Sequence, residues 1–319
     1  MAVHDLTDFL NNVDLQSLKD SLDELDDKTD EIFQRTKSEL DDVFVKIIES
    51  GDPEFLVWFS FLRSNFLRGR LIISNKAFRQ FIDFCRRKKN GYYFKKFPTS
   101  GVLIPRFTKP KFQYGKAVEE VLEQLRGKYS SGREFVQKEI RPTVENHRAE
   151  EVHRVYLELV SKFISYRQVG LKIANAIVSE VAYQLRLLRE SGREEKLRML
   201  TNEDWIRTLN LASCFNVMID THVSNFFEDQ GMKNVDHFTL LLVARDIKPE
   251  VLGLLFKRSY PWLNEKSRNL LLEKYHDYIG ANMVEKLIWV AYFVRANSSK
   301  NENLDSLEFY KLSKGVFSK

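Results

Sequence analysis

Ile164-Ser165-Tyr166-Arg167-Gln168-Val169-Gly170-Leu171-Lys172-Ile173-Ala174-Asn175-Ala176-Ile177-Val178 is the stretch on which the reading of this 319-residue chain turns. Apolar residues recur at helical spacing from Val152 to Ile164, and again from Ile173 to Leu188. Between them lies a tight turn with one glycine, Gly170. The spacing therefore predicts helix, hairpin, helix. Backbone amides in such a turn, beside a helix N-terminus, donate to a phosphate oxygen without needing positive side chains. The plain alternative is an interhelical turn closed by glycine.

A second segment follows as Asn216-Val217-Met218-Ile219-Asp220-Thr221-His222-Val223-Ser224-Asn225-Phe226. Val217 to Ile219 reads as an extended apolar approach, with Asp220 or Thr221 capping the helix beyond. Taken singly, Asp220 is a cap and Lys172 a solvated lysine on a helix's first turn.

In this order the two segments resemble the helix-hairpin-helix (HhH-GPD) DNA glycosylase superfamily, which includes endonuclease III and the 8-oxoguanine glycosylases. Val169-Gly170-Leu171-Lys172 with Ala174-Asn175 is similar to the family's Gly-Val-Gly-x-Lys hairpin, with Gln168 at the position of its first glycine. A left-handed backbone at that position disfavours glutamine. Met218-Ile219-Asp220-Thr221-His222-Val223 is similar to the family's Val-Asp-Thr-His-Val run, and Lys286-Leu287-Ile288-Trp289-Val290-Ala291-Tyr292 to its closing helix. The resemblance spans roughly Asp52 to Asn297. A charge-rich insertion from Arg186 to Arg198 separates the two motifs by more than the family usually shows.

What the resemblance implies is a base-excision enzyme of the cluster-free branch, a glycosylase with abasic-site lyase activity that removes a damaged base, oxidised bases included. Lys172 takes the place of the Schiff-base lysine and Asp220 that of the catalytic aspartate. Partly desolvated beside a positive surface, Lys172 would offer a neutral amine to the sugar, and Asp220 would stabilise an oxocarbenium-like sugar and help move protons. Arg167, Gln168, Val169, Gly170 and His222 become DNA contacts, joined by Arg86, Arg87, Lys88 and Lys89 of the basic stretch. The expected partner is duplex DNA carrying a damaged base or an abasic site, and such chemistry needs the nucleotide rotated out of the stack. No cofactor is expected beyond a monovalent cation on the hairpin carbonyls. Two other readings stand beside this one: a helix-hairpin-helix DNA-binding protein without chemistry, and a helical adaptor that recruits a protein through its N-terminal helix.

Charge agrees with a polyanionic partner. Residues 1–45 hold 13 acids and four Lys or Arg, so an acidic segment of net −9 is joined to a body of net +14 within a total of +5. Between Arg63 and Lys116 stand 15 Lys or Arg and one acid, Asp83, interleaved with 11 Phe or Tyr. Lysines and arginines displace phosphate counterions, and rings stack on exposed bases or wedge into a distorted duplex. A solvated basic face over a Phe-rich core would look the same. In the acidic segment Leu10, Val13, Leu15, Leu18, Leu22 and Leu25 mark one amphipathic helix, whose stripe would dock on its own body, pair with another protein, or cover the basic surface.

The remainder reads as helix. Asp52-Pro53 opens a helix that is apolar nearly all round, Asn75 to Lys88 makes another, and Asn90-Gly91 ends it. Tyr92 to Tyr114, with three prolines, reads as irregular loop. Beyond Lys116 helical spacing recurs at Val118–Leu125, Asp204–Leu211, Val251–Phe256, Ser267–Tyr278 and Met283–Val294. With 13 Gly, 7 Pro, 43 % hydrophobic, 13 % aromatic and 30 % charged residues, a mainly disordered or turn-rich all-β chain is excluded. Two cysteines, Cys85 and Cys214, cannot supply a disulfide framework, a four-cysteine zinc site or an iron–sulfur cluster. No leader or membrane span is visible, so an intracellular protein is expected, cytoplasmic, nucleoid-associated or nuclear. The predicted architecture is compact and all-α: an acidic helical extension over 1–50 and a glycosylase-like body of two helical subdomains over 51–319, with the hairpin and catalytic segment in 152–234.

Overall fold

The computed structural model describes residues 2–37, 53–68, 71–87, 115–145, 147, 151–190, 203–229 and 231–297. Every regular element among them is helical. The chain divides into two compact units, one formed by residues 1–35 with 217–319 and the other by residues 36–216. Of the expectations above, the loop from Tyr92 to Tyr114, Lys88, Lys89 and the insertion beyond Glu190 lie outside the described residues. So do the side chains of Cys85, Arg86, Arg87 and Arg186.

The middle unit is built around α3 (Pro53–Phe66). Pro53 sits where a helix's first N–H has no partner anyway, and Glu54 suits the positive end of the helix dipole. Leu56, Val57, Trp58, Phe59, Phe61 and Leu62 are all buried, as an all-round apolar helix requires. Against it lie α4 (Leu71–Arg87), α5 (Gly115–Lys128), α8 (Val152–Ile164) and α9 (Leu171–Glu190), while α10 (Glu203–Ala212) packs on α8 and α9. Phe66 and Phe78 meet at 5.1 Å, joining α3 to α4. Against α9 the α3 face is small and polar: Ser64 Oγ donates to Ala176 O at 3.1 Å, and Arg63 pairs with the buried Glu180.

Between α5 and α8 the chain runs through α6 (Gly132–Phe135), a π-helical turn (Val136–Ile140) and α7 (Arg141–Glu145). Its apolar face, Phe135, Val136, Ile140 and Val144, is buried. Gly132 is forced by packing, because a Cβ there would lie 2.3 Å from Trp58 ring carbons.

The terminal unit centres on α14 (Glu265–Asn297), on which α11 (Thr221–Glu228), α12 (His237–Arg245) and α13 (Pro249–Ser259) pack. Two separate helices, 267–278 and 283–294, were expected here. They form one element, bent instead at Tyr275, where φ is −137° and ψ is 36°. The intervening Ile279 to Asn282 stays helical and buried because Gly280 lets α12 approach: its missing Cβ would stand 2.7 Å from that of Ala244.

The N-terminal segment is two helices, α1 (Ala2–Asn12) and α2 (Leu15–Lys37), because Asp14 interrupts it and accepts the Ser17 N–H at 2.9 Å. Most of its stripe docks on its own chain, with Leu10, Leu18, Leu22, Leu25 and Ile32 buried, while Val13 is half-buried and Leu15 is exposed. Asn11 Nδ2 donates to Asp246 O at 2.7 Å and Asn11 Oδ1 accepts the Lys248 N–H at 2.8 Å. Arg258 holds α2 through Asp23 at 2.7 Å, Asp26 at 2.5 Å and the Leu22 carbonyl.

Candidate functional site

The hairpin of the middle unit joins α8 to α9 as the spacing predicts. Ser165 ends α8, the Val169 N–H donates back to Tyr166 O at 3.1 Å, and the chain enters α9 at Leu171. The left-handed residue of this turn is Gln168, with φ of 69°, and not Gly170. Gln168 thus takes the backbone conformation that glycine favours, despite its side chain. Two side chains of α5 meet the turn. Gln168 Nε2 donates to Glu120 Oε2 at 2.8 Å, and the Arg167 N–H donates to Gln124 Oε1 at 2.9 Å, both from α5. Beneath the turn Val169 and Tyr166 are buried, and Lys128 lies over the Tyr166 ring at 5.2 Å. Burial drives the Tyr129 phenol, which donates to Glu139, well above the usual phenol range, and raises Tyr166 as well.

Arg167, Gln168, Gly170 and Lys172 are exposed. Lys172 stands on the first turn of α9 with its side chain in solvent, which corrects the expectation of partial desolvation. Asn175, one turn on, is fully buried and accepts the Tyr156 hydroxyl at 2.9 Å, so it anchors α9 to α8 from inside.

Asp220 belongs to the terminal unit. Val217 to Ile219 approaches it in a non-helical conformation, and at Asp220 the backbone is extended, φ −105° and ψ −172°, as an N-cap requires. Its Oδ1 accepts the N–H of His222 at 2.8 Å and of Val223 at 3.2 Å. Its Oδ2 accepts the indole N–H of Trp289, from α14, at 3.0 Å. Asp220 itself remains half-buried, so the group is oriented without being sealed off.

Aromatic rings flank it. Trp289 stacks on Phe293 at 4.9 Å with planes 9° apart, and His222 meets the Trp289 ring edge-on at 6.2 Å. One turn before Trp289 on the same helix stands Glu285, 3 % exposed. Burial, reinforced by the charge of Asp220, pushes its carboxyl up to about 8 against the opposing charge of Lys286. Trp289 and Glu285 both escape a reading of motifs alone. The signal for Glu285 was an acid inside the apolar run from Ile279 to Val294.

Among the described residues no group of three His, Cys, Asp or Glu could hold a metal ion, and no helix is long and apolar enough to cross a membrane. Lys172 and Asp220 stand in different units. Comparison with family models, curated proteins and solved structures finds no match to this chain.

Proposed function

We propose that this protein is a DNA glycosylase with abasic-site lyase activity, acting on a damaged base in duplex DNA through Lys172 and Asp220. The observation that carries the reading is the hairpin: a left-handed residue falls at Gln168, four residues before a lysine on the first turn of the following helix. Gln168 and Gly170, exposed in the turn, and Lys172 suit a phosphodiester and its sugar.

The chemistry assigned to the residues balances as follows. The bond from C1′ to the base breaks, the base leaves with the electron pair and takes a proton, and positive charge spreads over the sugar ring. The Asp220 carboxylate, oriented by its three N–H donors, opposes that charge. The Lys172 amine, after giving its ammonium proton to solvent, forms a bond to C1′, loses a second proton, and gives an imine when the ring opens with a proton to O4′. Loss of a C2′ proton then expels the 3′ phosphate with its bonding pair and cuts the strand. An incision assay on duplexes carrying oxidised purines, oxidised pyrimidines or uracil tests the reading. Product from the native chain and none from Lys172→Gln supports it; equal incision by both contradicts it.

The solvent exposure of Lys172 favours a second reading, a phosphate-binding hairpin without chemistry. It predicts salt-dependent duplex binding with no product from any lesion.

A further inference from the structure

From α6 to the end of α8 positive charge is neutralised locally: Arg133, Lys138, Arg141, Arg154 and Lys162 each pair with a carboxylate. At the hairpin the pairing stops. Lys128, Arg167 and Lys172 have no ion pair among the described residues, and the same holds of Lys116 at the far end of α5. Lys128 is nonetheless held in place. Its ammonium lies 5.2 Å from the centre of the ring of Tyr166, the residue before Arg167. A ring attracts a cation through its quadrupole and leaves the net charge in place, whereas a carboxylate cancels it.

The α5 helix brings Lys128 and Arg167 together. Gln124 lies one turn before Lys128 on the same face of α5. Its Oε1 accepts the Arg167 N–H at 2.9 Å and its Nε2 donates to the Arg167 carbonyl at 3.5 Å. The acids nearby are engaged elsewhere. Glu139 accepts the Tyr129 hydroxyl and pairs with Lys162, and Glu123 pairs with Arg126. Glu120 accepts Gln168 Nε2 at 2.8 Å and lies about 12 Å along the helix from Lys128. Positive charge is thus concentrated on the Lys128 side of the turn and negative charge on the Glu120 side.

We propose that Lys128, with Arg167, contacts the phosphate backbone of a nucleic-acid strand, so that the last turn of α5 extends the hairpin's hold on that strand. The inference deepens the function proposed above and rests on its duplex binding, not on excision. Fixed positive charge of this kind positions a strand without reading its bases. Neutralising a phosphate releases a counterion, which makes such contacts countable: the slope of log K against log salt changes by about 0.9 for each phosphate of B-DNA.

Fluorescence anisotropy of the full chain on an undamaged duplex, between about 50 and 200 mM salt, tests this. Lys128→Gln lowers the slope by about one and weakens binding about fivefold at about 150 mM salt, whatever the duplex sequence. Lys128→Arg, which keeps the charge and its place over the ring, restores both. Lys138→Gln removes an exposed lysine already paired with Glu134 and leaves the slope as it was. A slope that Lys128→Gln does not change, or that Lys138→Gln lowers as much, overturns the contact, and incision of a lesion by the native chain would then leave the proposed function standing. A slope lowered by Lys128→Gln alone, with no lesion incised by the native chain, upholds the contact and sinks the glycosylase. A native chain that binds no duplex even at low salt overturns both.

Discussion

The indole N–H of Trp289 donates to Asp220 Oδ2 at 3.0 Å, tying the long C-terminal helix to the carboxylate that caps α11. A hydrogen bond to a charged group contributes about 1.5–3 kcal/mol, and here it also sets a direction. Trp289→Phe keeps a ring for Phe293 and His222 to pack on but removes the donor. Base removal should slow about tenfold or more, corresponding to at least about 1.4 kcal/mol in the barrier. Single-turnover excision compared with urea unfolding checks this: a rate loss no larger than the stability loss implies would make Trp289 a packing residue only.

Asp220 carries a structural duty as well as the proposed chemical one. Asparagine caps helices about as well as aspartate, whereas alanine costs about 1 kcal/mol. Asp220→Asn should leave the unfolding midpoint near the native value while abolishing base removal, and Asp220→Ala should lower both. Retained excision by the asparagine variant would remove Asp220 from the chemistry.

Gln168 is a glutamine in a glycine's conformation, with φ of 69°. The left-handed region costs an ordinary residue about 1–2 kcal/mol, and glycine's extra freedom in the unfolded chain returns about 0.5–1 kcal/mol of that. Gln168→Gly should therefore stabilise the protein slightly, by up to about 1 kcal/mol, since the exposed bond to Glu120 contributes little. Urea unfolding reads this directly. A clear loss of stability would mean that the contact to α5, and not backbone conformation, governs the turn.

Gly132→Ala should act in the opposite sense. Its Cβ would enter the Trp58 ring, which Phe61 and Phe135 hold on other sides at 5.7 and 6.0 Å. Overpacking of a closed site costs about 1–3 kcal/mol. An unchanged Tm would show that the ring has room to move.

How much of this was legible beforehand depended on whether the chain kept an undistorted helical period. Val152–Ile164 is bounded correctly from spacing alone, and Asp220 and Thr221 both offer caps because short polar residues before an apolar run compete for backbone N–H groups; the structure caps with Asp220. The segment from Gly132 to Glu145 was missed. Its buried residues, Phe135, Val136, Ile140 and Val144, pass through a π turn that adds a residue to the helical repeat and smears the period of 3.6. The N-terminal stripe was visible, but its docking surface was not, since Asn11, Leu22 and Arg258 meet only after more than 200 residues of intervening chain. Glu285 stayed hidden for the same reason: an acid in a helix reads as solvent-facing until its tertiary neighbours are known.

The central claim is a covalent bond from Lys172 to a sugar, and borohydride reduction on duplexes carrying 8-oxoguanine, uracil, an oxidised pyrimidine or an abasic site tests it most directly. Reduction converts the imine to a stable amine, so a trapped protein–DNA adduct is predicted for the native chain and none for Lys172→Gln. No adduct on any substrate from a native chain that still binds the duplex, or an adduct that survives in Lys172→Gln, would contradict the account.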